Sequence, residues 1–239
     1  MFIITKNNSC YSNNSFDPFD ETINYLQFLK QSGCRGFECS GKSLEIIKSW
    51  GQSLSKPDTL ESILTDLGDC QRCRLSETRK KIVFGKGDAN ARVVFVGECP
   101  GFEEDENGEP FVGTAGILLT KIIQAMNLTR ETVYICNIVK CRPPNNRNPM
   151  IDEINTCIPY VKRQIAAINP DIICLLGSCA AQSILEVKDP ISQIRGNFFS
   201  IDGIIALPTY HPADLLRNPD KKRDVWEDMK KLIKKLETI

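Results

Sequence analysis

The reactive chemistry of this 239-residue chain lies first in its sulfur: eleven cysteines stand against a single histidine, His211. Cys70 and Cys73 form a C-x2-C pair, and Cys141 and Cys157 follow far downstream with fifteen residues between them. Four thiolates make a complete donor set for zinc or for a [4Fe–4S] cluster, and spacing alone does not choose between the two. With one histidine, a metal site in this chain rests mainly on sulfur. An odd cysteine count leaves a thiol over in any full disulfide framework. The opening residues, MFIITK, lack the basic and apolar regions of a secretory signal, and no run approaches 18 apolar residues. The expectation is therefore a cytoplasmic chain with reduced thiols and no membrane span. Cys10, Cys34, Cys39, Cys99, Cys136, Cys174 and Cys179 have core or loop explanations, and Cys136 and Cys174 lie within apolar strand runs.

Three polar, Gly/Pro-rich segments are the other candidates for chemistry: residues 97–101, 137–148 and 208–217. The elements that position them alternate in type. Strands are expected at 92–96, 133–139, 171–176 and 204–207, where β-branched and apolar residues run together. Helices are expected from Thr114 through Met126, and at 152–168, 178–185 and 223–236. That order predicts an α/β fold with a central, mostly parallel sheet and helices on both faces. In such folds ligands bind at the carboxyl ends of strands, which is where the three segments fall. Upstream, Asp58 with Glu61 three residues on resembles a capping box for a helix running to Leu67. Residues 53–57 read as a linker, so residues 1–57 are expected to be an N-terminal extension, with helices near 21–30 and 43–50 and a turn at 32–36. Residues 58–239 then form the main domain. Lys and Arg total 30, as do Asp and Glu, so net charge is zero; 41 % hydrophobic and 25 % charged residues exclude a disordered chain or a coiled coil. A neutral total does not exclude nucleic acid, because a local basic face suffices for phosphate contact.

The motifs themselves are specific. Gly97-Glu98-Cys99-Pro100-Gly101-Phe102-Glu103-Glu104-Asp105 is followed by Gly108-Glu109-Pro110-Phe111-Val112-Gly113. Next come Asn137-Ile138-Val139-Lys140-Cys141-Arg142-Pro143-Pro144 and His211-Pro212-Ala213-Asp214-Leu215-Leu216-Arg217. In this order they resemble the iron–sulfur uracil-DNA glycosylases of family 4, over roughly residues 60–239. The resemblance implies the three-layer α/β/α fold of that family and a [4Fe–4S] cluster on Cys70, Cys73, Cys141 and Cys157. It implies uracil-containing DNA as partner, acted on by a monomer. The activity implied is a base-excision-repair hydrolase that flips uracil out and cleaves its N-glycosidic bond, leaving an abasic site.

Carried onto these positions, the resemblance makes Phe111 the plane on which uracil stacks and Asn137 the reader of its edge. A carboxamide can accept from uracil N3–H and donate to O4, a pattern that cytosine opposes. His211 donates to O2 as negative charge develops there. Glu98 sits near C1′ to orient water, and Gly97, Glu98 and Cys99 lend backbone groups to the base. Glu104 and Asn146 line the pocket, and most of the acidic run 103–106 is a solvated loop. Leu215 and Leu216 form an apolar wedge into DNA. Arg217, Arg142, Arg147, Lys140 and Arg195 are candidate phosphate contacts. Two positions depart from the family. Cys99 stands where Gly or Ala is usual, which could expose the site to oxidants. Asp214 stands in the wedge loop where Ala is common. Two other classes compete: a protein that binds uracil-DNA without turnover, and an iron–sulfur redox protein. Covalent trapping through an additional histidine is disfavoured, because His211 is the only histidine. A redox protein has no need of Phe111, Asn137 and His211 together.

Overall fold

A computed structural model describes residues 58–239, together with Phe28, Gln31 and Ser32. The elements expected at 21–30, 32–36 and 43–50, the linker at 53–57, and Cys10, Cys34 and Cys39 otherwise lie outside the described residues. Lys56–Ile239 form one unit. Its strands are short, and the four inner ones are apolar. β1 is Lys86–Gly87, β2 Val93–Gly97, β3 Tyr134–Asn137, β4 Ile172–Leu176, β5 Phe199–Ile201 and β6 Ile204–Thr209. They form one six-stranded sheet in the order β1-β3-β2-β4-β6-β5. The four inner strands are parallel, and β1 and β5 close the edges antiparallel. The two edge strands are too short to show a period-two pattern, and the sequence reading did not anticipate them.

β2 is buried at all five positions because helices cover both faces of the sheet. Val94 and Val96 face one layer and Val93 and Phe95 the other, as the strand's alternation requires. The first layer contains α4 (Ile151–Ile168) and α5 (Gly177–Leu185), with α6 (Ile191–Ile194) beside them. The second contains α3 (Thr114–Ala125), α7 (Pro212–Arg217) and α8 (Lys221–Leu236). Each apolar helix face meets one sheet face, giving the three layers expected.

α1 spans Leu60–Leu67, and its cap differs from the expectation. Thr59 is the N-cap: its hydroxyl accepts from Ser62 N–H, and Ser62 Oγ accepts from Thr59 N–H. Asp58 instead pairs with Arg163 on α4. A carboxylate within reach of a guanidinium finds a stronger partner than a neutral amide. α2 (Phe102–Asn107) follows β2 directly. Among the described residues no helix is long and apolar enough to cross a membrane.

Candidate functional site

The parallel strands β2, β3 and β6 all end at the carboxyl edge of the sheet, β2 beside β3 and β6 one strand beyond, past β4, and the chain leaving each delivers one group to a shared pocket. Backbone pairing continues past the strands: Ile138 N–H donates to Gly97 O at 2.9 Å and Val139 N–H to Glu98 O at 3.1 Å. That register sets the Asn137 side chain against Gly97. A Cβ on Gly97 would lie 2.4 Å from Asn137 Oδ1 and 2.5 Å from Phe111 Cζ. Only hydrogen at this position leaves room for both groups.

The resulting cavity, of about 350 Å3, is lined by Cys99, Phe111, Asn137, Asn146, His211 and Arg217, among others. Asn137 is 1 % exposed, and its Oδ1 is the one buried side-chain oxygen or nitrogen among the described residues with no hydrogen-bond partner. An unpaired buried acceptor is costly, so this one marks a place where a ligand donor belongs. The Phe111 and His211 ring centroids lie 5.6 Å apart with planes inclined at 33°.

His211 caps α7 through its own ring. Its Nδ1 accepts from Ala213 N–H at 3.1 Å. An accepting Nδ1 places the proton of neutral imidazole on Nε2, where it can donate. Burial, aided by Arg217, lowers the His211 pKa to about 4, so the neutral form prevails at physiological pH. Gly177, with φ +90°, lets the chain after β4 pass close to this ring: an added Cβ would sit 2.9 Å from His211 Cβ. The sequence reading did not single out Gly177; a glycine directly after an apolar strand was the available signal.

Glu98 lines a second, larger cavity of about 850 Å3, which shares His211 and Arg217 with the first. Burial raises its pKa, against the attraction of Arg217. Glu104 is a loop anchor rather than a free pocket carboxylate. Its Oε1 accepts from Val112 and Gly113 N–H, both at 2.9 Å, and its Oε2 from Gly101 N–H at 3.0 Å. Asp105 is also buried, accepting from Lys80 and Lys81 N–H. The acidic run is therefore solvated only in part, because the amide-rich turns beside it need acceptors. Burial holds the Cys99 thiol far above its ordinary pKa. That disfavours the thiolate, which is the form that reacts with oxidants.

Several outer residues are placed differently from the sequence expectation. Leu215 is 1 % exposed within the α3–α8 layer, so it is a core residue, and Leu216 alone presents an apolar side chain outward. On a short helix adjacent residues point about 100° apart, so a packed helix cannot expose both. Arg147 makes a two-pronged pair with buried Glu153, at 2.8 and 2.7 Å. Arg195 is bound to Asp228 on α8. Lys140 is buried, donating to Asn137 O at 3.0 Å and Gln164 Oε1 at 2.6 Å. These three cations are engaged inside the fold instead of lying free for phosphate. Asp214 accepts from Lys221 and Asn218, which neutralises its charge within the loop. Arg142 is half-buried, its Nε donating to Asn146 Oδ1 at 2.7 Å and its guanidinium 5.0 Å from the Phe102 ring centroid, and Arg217 is exposed beside the pocket.

Cys70, Cys73, Cys141 and Cys157 line one small cavity with Arg79 and Lys140. Arg79 approaches Cys141 Sγ at 3.7 Å, and Lys140 N–H donates to Cys157 Sγ at 3.4 Å. Among the described residues no three His, Cys, Asp or Glu side chains are arranged to hold a single metal ion. Cys136 and Cys174 are fully buried in their strands, as expected of packing residues.

Residues 84–230 match the family described as the uracil DNA glycosylase superfamily. The chain is 44 % identical over 184 residues to a type-4 uracil-DNA glycosylase of Saccharolobus solfataricus, covering 73 % of this chain and 85 % of the relative. It is 42 % identical over 181 residues to that of Thermotoga maritima, covering 74 % and 94 %. It is 40 % identical over 183 residues to that of Archaeoglobus fulgidus, covering 73 % and 92 %.

Proposed function

The chain belongs to the uracil DNA glycosylase superfamily, on its type-4 branch, and we propose that it takes uracil out of DNA and hydrolyses the bond joining it to deoxyribose. The observation that carries this reading to the residues is the unpartnered Asn137 Oδ1, buried beside Gly97 and Phe111 in the cavity that His211 also lines. Asn137 Oδ1 accepts from uracil N3–H, and its amide nitrogen donates to O4. Cytosine offers an acceptor and a donor at those atoms, so it meets the wrong group twice. Phe111 stacks on the flipped ring. His211 Nε2–H donates to O2. Water attacks C1′, the C1′–N1 bond breaks, uracil departs with the electron pair as an anion, and the surplus proton of the attacking water passes to the Glu98 carboxylate. A neutral donor aimed at O2 stabilises that developing charge, and losing one such donor typically costs ~10²–10³ in rate. Ionised Glu98, in the adjoining cavity, orients the water and faces the cationic sugar. Gly97, Glu98 and Cys99 contribute backbone groups at the base.

Leu216 enters the DNA at the flipped position, and Arg142 and Arg217 meet phosphates. All these groups come from one chain, which supports a monomer, with residues 58–239 as the glycosylase domain and 1–57 as an extension. Cys70, Cys73, Cys141 and Cys157 hold a [4Fe–4S] cluster. The reading is supported by four thiols lining one cavity, by the Arg79 guanidinium beside Cys141, whose charge suits an anionic thiolate group, and by the Lys140 backbone N–H that donates to Cys157. Those four residues would then tie the turn after α1 to the loop that carries Arg142 and to α4.

The test is incubation with a uracil-containing oligonucleotide, followed by alkali. Free uracil and strand scission at the uracil position are expected. Binding without scission by folded, metal-loaded protein would instead make the chain a non-catalytic uracil-DNA binder.

A further inference from the structure

Phe111 has an unusual backbone for a bulky residue, with φ +53°, in the left-handed region. Such a conformation persists only where its surroundings impose it. Two neighbours do so. Gly116 lies so close that an added Cβ would fall 1.9 Å from Phe111 O. Arg130, in the segment between α3 and β3, reaches back with both terminal nitrogens. Its Nη1 donates to Phe111 O at 3.0 Å and its Nη2 to Pro110 O at 2.7 Å. Thr120 Oγ1 on α3 also accepts from Nη1, at 3.3 Å. On the other side of the turn, Glu104 receives the N–H groups of Val112 and Gly113. The turn is thus gripped through its carbonyls by a cation and through its amides by an anion. Arg130 is absent from the pocket wall.

We propose that Arg130 is a positioning residue for base recognition: its two-pronged grip on Pro110 O and Phe111 O holds Phe111 left-handed and so sets the plane on which the base stacks. Without the grip, Phe111 relaxes towards negative φ, and its Cα–Cβ bond turns the ring away from Gly97 and His211. A planar fork is needed, because an ammonium on a flexible stem does not fix two carbonyls together. The proposal rests on the glycosylase reading.

The experiment is a double-mutant cycle with Arg130→Met, Phe111→Ala and both together. Activity is read as kcat/KM on a uracil oligonucleotide, alongside inhibition by free uracil and affinity for abasic-site DNA. Losing an aromatic stack on one base corresponds to about 5- to 150-fold, which bounds the effect of Arg130→Met. Weaker inhibition by free uracil is expected, with abasic-site affinity unchanged, since no base stacks there. In the Phe111→Ala background the Arg130 change should cost under about threefold more. Equal losses in both backgrounds, or a parallel fall in abasic-site affinity, overturn the proposal. Should Arg130→Met not fold, Arg130→Lys is run through the same cycle with the same criteria. A wild-type protein that releases no uracil refutes the glycosylase reading itself, whereas an active wild type with an uncoupled Arg130 refutes only this proposal.

Discussion

Gly97→Ala tests the pocket with the smallest possible change. The added carbon lies 2.4 Å from Asn137 Oδ1, 2.5 Å from Phe111 Cζ and 2.7 Å from Phe111 Cε2. Ordinary contacts of this kind need about 3.5 Å or more, so both side chains must retreat by roughly 1 Å. The open side of each is the cavity itself, so the strain is relieved by moving into the space where uracil stacks. Overpacking of this order costs about 1–3 kcal/mol, and a 1 Å misplacement of positioning groups costs about 10²-fold in rate. A fall in kcat/KM of about 10²-fold is therefore expected, with inhibition by free uracil lost. The loss of thermal stability should stay within that ~1–3 kcal/mol, because Asn137 Oδ1 has no internal partner to lose. Steady-state kinetics on a uracil oligonucleotide, uracil inhibition and a melting curve suffice. Activity within threefold of wild type refutes the geometry. A large drop in melting temperature refutes the argument that the strain is relieved into the cavity.

Burial raises the Glu98 pKa above its ordinary 4.5, and the carboxylate form is the one required. The acid limb of kcat/KM against pH should therefore have its midpoint above 4.5, and Glu98→Gln should abolish that limb along with most of the activity. His211 has a folded pKa of about 4 against 6.5 when free. The unfolded chain then binds the extra proton between those values, so this residue's contribution to stability is complete above 6.5 and is lost as pH falls towards 4. Melting temperature should fall less steeply over that window in His211→Asn than in wild type. Cys141→Ser should lose the visible iron–sulfur absorbance and weaken DNA binding or folding; an unchanged spectrum, with iron retained, would count against the assignment of this ligand. Cys99→Ala should keep kcat/KM within about tenfold, or ~1.4 kcal/mol of barrier, since a protonated thiol and a methyl group both leave the pocket open; a larger loss would give the thiol a role.

How much was legible depended on how local the cause was. The inner strands announced themselves by β-branched runs, and their number and order implied parallel pairing with buried faces. Edge strands of two and three residues carry no such signal and exist only because a neighbouring strand offers hydrogen bonds. The pocket residues were legible as motifs, Asn137 and His211 at strand ends and Phe111 in the turn before α3. Charged residues were the least legible. Lys140, Arg147 and Arg195 looked like phosphate ligands, Asp105 like loop solvation, and Glu104 like a pocket carboxylate with no further tie. Each is engaged by a partner that folding brings near, and a sequence shows charge but not who sits opposite.

By itself the sequence determined the residue types: four thiols of a kind that can hold a metal, an aromatic ring, a carboxamide, a lone imidazole, and a glycine at the end of a strand. These are properties of side chains and of short-range propensity, and they survive without knowledge of the fold. Only tertiary structure decided orientation. It showed which atom of Asn137 is left unpaired, which nitrogen of His211 carries the proton, which leucine of the pair faces out, and why Phe111 is held left-handed. Orientation depends on contacts between segments distant along the chain, and those come into being only when the sheet assembles.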